Sequence, residues 1–92
     1  MVASMERKEL ERQLRALGNR RRLAILKYLK SNGEAPVGDI ADEINLSFKS
    51  TSRHLAVLAS ADVVEKEQRS VKVFYRLASV RSPAAAHIIA LL

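Results

Sequence analysis

The stretch PVGDIADEINLSFKSTSRHLAVL, residues 36–58, decides the fold. Ile40, Ala41 and Ile44 recur at helical spacing and predict a short helix over 37–44 with one apolar face. Asn45 follows where the chain needs a left-handed residue, which Asn tolerates better than most. Leu46 plugs the corner, and Ser47 is suited to cap a second helix over 47–61. In that helix Thr51, Leu55 and Leu58 share one face, Lys49, Arg53 and Ala56 lie opposite, and Ser52 sits on the flank. Two helices joined by a three-residue turn, the second apolar on one side and basic on the other, read as a helix-turn-helix.

The flanking sequence completes a larger pattern. After Ala61-Asp62 the periodicity becomes alternating, with Val71, Val73, Tyr75 and Leu77 on one side and Lys72, Phe74 and Arg76 on the other. With a weaker strand over 63–68 and a turn near Arg69-Ser70, residues 63–77 form a hairpin, or wing. Upstream, a helix over about 5–17 carries a narrow stripe of Leu10, Leu14 and Leu17 and ends at Gly18. Asn19 caps a second helix over 20–31, with Leu23, Leu26 and Leu29 inward and Ile25 and Tyr28 flanking, and Ser31-Asn32-Gly33 stops it. Residues 34–36 read as a connector, and Ser82-Pro83 starts a last helix running to Leu92. The expectation is a single domain over 1–92, mainly α with a β-hairpin: a winged helix-turn-helix of about five helices and a two-stranded wing.

Bulk properties narrow the function. The chain has 92 residues and a formal net charge of +6, and a sequence pI near 10.2 favours a polyanionic partner, nucleic acid ahead of a membrane surface. No cysteine is present, which closes disulfides, thiolate metal sites and thiol redox sensing and fits a cytoplasmic protein. No apolar run is long enough to span a bilayer, and the first fifteen residues lack the apolar core of a signal peptide. The charge is polarised: residues 34–46 hold four acids and no base, whereas 47–77 hold six bases against three acids. Such polarity suits one oriented contact better than a general polycation.

The second helix of the motif supplies the chemistry. In this architecture it enters the major groove of double-stranded DNA, and its N-terminal residues reach base edges. Lys49 and Arg53, one turn apart, can donate to guanine acceptors. Ser47, Ser50 and Ser52 are short donors suited to phosphates near a helix start, with capping the competing role for Ser47. Phe48 offers a contact to a thymine methyl or packing against an apolar edge, and His54 is a partly buried histidine within reach of phosphate. Arg69 and Lys72 near the hairpin tip face either DNA or, with Glu65 and Glu67 nearby, an ordinary charged turn. Arg20, Arg21 and Arg22 crowd cations into a first helical turn against the macrodipole, so a carboxylate such as Glu34 or DNA phosphates should compensate, at Arg20 and Arg21 above all.

These residues also carry a resemblance. Ala16-Leu17-Gly18-Asn19 with Arg22-Leu23 and Ile25-Leu26, then Asp39-Ile40-Ala41, Asn45-Leu46-Ser47, Ser52-Arg53-His54-Leu55, Val57-Leu58 and Val73-Phe74-Tyr75-Arg76-Leu77, resemble the arsenic-repressor (ArsR) family of winged-helix regulators. The resemblance covers about residues 10 to 78. It implies a homodimer joined by the first and last helices (about 5–17 and 83–92), here through Leu10, Leu14, Leu17, Ile88, Ile89 and Leu92, and repression of an operator. Family members that sense metal carry a cysteine pair in the first motif helix or acids and histidines in the last; here Ala35 and Val37 stand near the one place and His87 alone in the other. No metal and no cofactor are therefore expected. The wing also departs, with Ser70 where glycine is usual.

The leading expectation is a sequence-specific transcriptional regulator, a repressor reading a palindrome. The alternative is a winged helix turned protein-interaction module. An enzyme is disfavoured, because Ser52 and His54 lie about 200° apart on one helix and no phosphate-binding glycine loop appears.

Overall fold

The computed structural model describes residues 4–92, so the first three residues of the 1–92 span lie outside the described part. The elements run α1 (Arg7–Leu17), α2 (Arg20–Asn32), β1 (Glu34–Pro36), α3 (Val37–Ile44), α4 (Phe48–Ser60), β2 (Val64–Arg69), β3 (Lys72–Leu77) and α5 (Pro83–Ala90). The sheet is antiparallel with strand order β1-β3-β2.

The helix boundaries follow from local chemistry. The Asn19 side chain accepts from the backbone N–H groups of Arg21 and Arg22, Ser47 from that of Ser50 and Ser82 from that of Ala85. Asn45, at φ 54, turns the chain between α3 and α4, and Gly33, at φ 85, ends α2. At the far end of the molecule the Lys30 ammonium donates to the carbonyls of Ile89 and Leu92, tying α5 to α2.

Three features of the fold differ from the sequence reading. Residues 34–36 are not a connector but a third strand, with Ala35 paired to Tyr75 and buried. Three residues are too few to display an alternating pattern. Ile25, expected on the flank of α2, is wholly buried with Leu26 and Leu29, while Leu23 is half-buried. At about 100° per residue Ile25, Leu29 and Leu26 span one continuous arc, with Leu23 beyond its edge. Val71, expected in the strand on the side of Val73, Tyr75 and Leu77, lies in the hairpin turn and is 91% exposed. The turn closes over Ser70 and Val71 between the paired residues Arg69 and Lys72, and Ser70 takes φ 56, the left-handed conformation usual for glycine there.

The core is built where α2, α3, α4 and the sheet converge: Ile25, Leu26, Leu29, Ile40, Leu55, Leu58 and Val63 are each at most 1% exposed. α1 is joined to it partly through a polar side chain. Gln13 is 1% exposed; its Nε2 donates to the Ala61 carbonyl at 2.6 Å, and its Oε1 accepts from the Ser82 hydroxyl at 2.9 Å. One amide thus joins α1 to the end of α4 and the start of α5. Gln13→Leu keeps the volume but leaves both partners without their bond, so urea unfolding should show a loss of about 1–3 kcal/mol. A stability equal to the parent's would show that Gln13 is not needed to hold α1.

Candidate nucleic-acid interface

α4 is fixed by its inner face. Thr51, Leu55 and Leu58 are fully buried, and the Thr51 hydroxyl is satisfied by the Ser47 carbonyl at 2.8 Å. Helical periodicity then sends Lys49 and Arg53 outward, where both are exposed and neither forms a salt bridge among the described residues. Ser47 is exposed while Ser50 and Ser52 are half-buried. Phe48 does not cover a neighbouring apolar edge: it is 62% exposed, at the mouth of a groove shared with the wing.

The wing is less basic than its sequence suggests. On its outer face Arg76 bonds Glu65 and Glu67, and Arg69 bonds Glu67 and, through two nitrogens at 2.7 and 2.8 Å, Glu34. The Arg69 guanidinium also lies 4.6 Å above the Phe74 ring. Arg69, expected either at DNA or in an ordinary charged turn, lies among carboxylates by cross-strand register, and they hold it within the chain. Hydrogen bonds from Arg69 hold the Glu34 and Glu67 carboxyls below their ordinary values; the Ser79 hydroxyl, then Arg76, does so for Glu65. Lys66 and Lys72 are exposed and take no part in the ladder. The wing thus presents lysines and the apolar Val71 to solvent.

The cations at the start of α2 separate into two roles. Arg22 turns inward, donating to the carbonyls of Ala16 at 2.6 Å and Arg15 at 3.0 Å, with Nη1 3.2 Å from Nδ1 of His54. Guanidinium only donates, so Nδ1 accepts and the neutral ring carries its proton on Nε2. Burial, then the positive charge of Arg22 and Arg21, lowers the pKa of His54 below its ordinary 6.5. Arg20 and Arg21 have no acidic partner among the described residues, since Glu34, the expected partner, is taken by Arg69. They border an open cleft of about 680 Å³ that runs past Lys27 and Tyr28 to Glu43 and Asn45.

The expected dimer residues are divided by the core. Leu14 is 52% exposed, and Leu10, Ile88 and Leu92 are half-buried. Leu17 and Ile89, each 3% exposed, belong to the chain's own core. Neither offers side-chain surface to a partner in this fold, whereas Leu91, also in the last stretch of the chain, is 82% exposed. Among the described residues no group of three His, Cys, Asp or Glu side chains is placed to hold a metal ion.

This geometry has relatives. The "Helix-turn-helix domain" family model matches residues 17–67. The transcriptional activator HlyU of Vibrio cholerae serotype O1 is 38% identical over 71 residues, covering 77% of this chain. The chain belongs to the ArsR-type helix-turn-helix family. The transcriptional repressor SdpR of Bacillus subtilis is 35% identical over 63 residues, covering 68% of this chain and 69% of that protein. The match to HlyU spans 65% of its length, a little under two thirds. The homodimeric winged helix-turn-helix DNA-binding domain of Mycobacterium bovis Mb0332 (fragment 1–100), a possible ArsR-family transcriptional regulator, superimposes with a TM-score of 0.76 at 31% identity. That superposition covers 99% of this chain and 85% of the other. Within this family architecture, α3 and α4 are the helix-turn-helix and β2–β3 the wing.

Three contributors to the site escaped the sequence reading. The Glu34 clamp was hidden by a separation of 35 residues from Arg69, although Glu65, Glu67 and Arg69 at every second position did mark one strand face. The Arg22–His54 contact joins residues 32 apart, and no local pattern announces it. Lys66 was passed over because it sits among glutamates.

Because the folded His54 value lies below 6.5, the unfolded chain takes up the proton first, and its stabilising contribution is present above that value. Lowering the pH from about 7 to about 5 should reduce the thermal midpoint, and His54→Gln should flatten that decline; an identical decline in both proteins would contradict it. The carboxylates of the wing act lower, their contribution being lost as pH falls below 4.5 through their depressed values. Glu34→Gln should loosen the clamp on Arg69 and free it for phosphate. The slope of log K against log salt for duplex DNA should then steepen by about one; an unchanged slope would show that Arg69 stays held without Glu34.

Proposed function

We propose that the chain is a sequence-specific, double-stranded-DNA-binding transcriptional regulator, acting as a homodimer and most simply as a repressor that occludes a promoter. The observation that carries this reading is the one-sided burial of α4, which leaves Lys49 and Arg53 exposed and, among the described residues, without ion partners. Arg53 is assigned to guanine through both O6 and N7, Lys49 to an adjacent acceptor, and Phe48 to a thymine methyl. Ser47, Ser50, Ser52 and His54, at the start and on the flanks of the same helix, are assigned to phosphates, contacts that fix register rather than sequence. Lys72 from the wing and Arg20 and Arg21 from α2 extend the phosphate track, and the site's work is binding rather than catalysis.

The dimer is assigned to the α1 and α5 surface. Leu10, Leu14, Ile88 and Leu92 supply its apolar residues, over Leu17 and Ile89. A two-fold pair presents two copies of α4 about 34–36 Å apart, and so reads a palindrome. The wing lies outside that surface, leaving residues 1–92 a single DNA-binding domain with its two contact faces separated. Among the described residues no helix is long and apolar enough to cross a membrane, and the cytoplasm is the compartment in which such a regulator meets its operator.

Selection from random duplexes tests the proposal. The expected product is a palindromic sequence bound by two chains, with the mass of the complex giving the stoichiometry. Arg53→Ala should then weaken the selected site by about 1–3 kcal/mol and relax one position in each half-site. Failure to enrich any sequence over random duplex at moderate salt would overturn the reading in favour of a protein-interaction module.

A further inference from the structure

We propose that the groove between the wing and the first turns of α3 and α4 binds a small aromatic carboxylate, and that its occupancy displaces DNA. The groove has a volume of about 460 Å³, within the range of small-molecule sites. Val71, Val73 and Tyr75 line the wing side, and Val37 and Phe48 the helical side. Two of the most exposed large apolar side chains of the described residues, Phe48 at 62% and Val71 at 91%, meet at this one place. Water is a poor neighbour for either, and a flat ring laid between them removes apolar area from it.

Charge selects the headgroup. Lys66 and Lys72 border the groove from the wing and form no salt bridge among the described residues, whereas Arg69 and Arg76 on the same two strands are held by glutamates. Asp39, on the helical side, is the acid that borders the groove. A carboxylate is therefore drawn to the wing side and repelled from the other, which orients an asymmetric ligand. The Ser52 and Tyr75 hydroxyl-bearing side chains add hydrogen-bonding capacity at the lining.

The groove lies between the two elements assigned to DNA. A ring seated against Phe48 and Val71 occupies the surface through which α4 and the wing would meet the duplex, so ligand and DNA compete directly. Thiolate sensing is closed to these 92 residues, which contain no cysteine, and an organic anion supplies a signal this groove can read. The displacement half of the proposal rests on the regulator reading; the binding half does not.

The test uses 2-naphthoate as the anionic probe, 2-naphthamide as its neutral counterpart and acetate as an anion without a ring. Each is titrated into the DNA-free protein and followed by backbone amide NMR. Naphthoate should saturate shifts at Phe48, Val71, Val73 and Tyr75, with naphthamide about three- to tenfold weaker and acetate without effect. Lys66→Gln with Lys72→Gln should bring naphthoate down to the naphthamide affinity while leaving naphthamide unchanged. Equal binding of the two aromatic probes would overturn the carboxylate assignment, and shifts confined to α1 and α5, or no saturation, would overturn the site. With the selected duplex, naphthoate should lower DNA affinity in proportion to its occupancy; binding to the groove without that loss would overturn the displacement claim alone. Failure to select any duplex, with naphthoate still saturating the groove, would instead sink the regulator reading and leave the site standing.

Discussion

The structure depends on the burial of one side of α4. Thr51, Leu55 and Leu58 are closed off from solvent against the core, and a helix so anchored cannot rotate without exposing two leucines and an inward hydroxyl. Removing either leucine would cost about 2–5 kcal/mol, comparable to much of the stability of a domain this small. The opposite face is therefore fixed as firmly as the core, although Lys49, Arg53 and Ala56 on it are exposed. Lys49 and Arg53 are held outward by what lies beneath them rather than by partners of their own. The other elements refine this placement: Asn45 sets the angle to α3 through a left-handed turn, the Ser47 cap fixes where the helix begins, and Gln13 joins its far end to α1.

Electrostatics then sorts the cations into two populations. Arg22, Arg69 and Arg76 are consumed by internal acceptors: backbone carbonyls for the first, glutamates for the others. Lys49, Arg53, Lys66, Lys72, Arg20 and Arg21 form no salt bridge among the described residues. Arginine is suited to the first role because its planar fork can satisfy two acceptors at once. Net charge alone does not distinguish these populations, and a patch inferred from composition would have counted both. The wing shows the consequence, since what it offers outward is two lysines around an apolar tip rather than a pair of arginines.

Much of the fold was legible in the sequence, and the reason is local. The caps at Asn19, Ser47 and Ser82, the break at Gly33 and the turn at Asn45 are decided by residues within a turn of themselves, and each stands where the sequence placed it. The failures are non-local. β1 exists because Ala35 finds Tyr75 forty residues on, and Arg69 is engaged within the chain because Glu34 comes within reach of it. Leu17, marked by a helical stripe, and Ile89, marked as an apolar residue of the last helix, face the chain's own core, a distinction neither signal can make. For the site, the sequence identified the face of α4 and missed which wing cations were already engaged. An alternating Glu-x-Glu-x-Arg strand is the pattern that could have announced it.

The central claim is that the face of α4 left bare by core burial is the face that reads DNA. The most direct measurement is an amide NMR map of the protein titrated with the selected duplex, read residue by residue. The account predicts the largest changes over residues 47–53, at Ser70 to Lys72 and at Arg20 and Arg21, with Leu55 and Leu58 little moved. Changes concentrated on the outer ladder of Glu34, Glu67 and Arg76, with residues 47–53 unaffected, would contradict it.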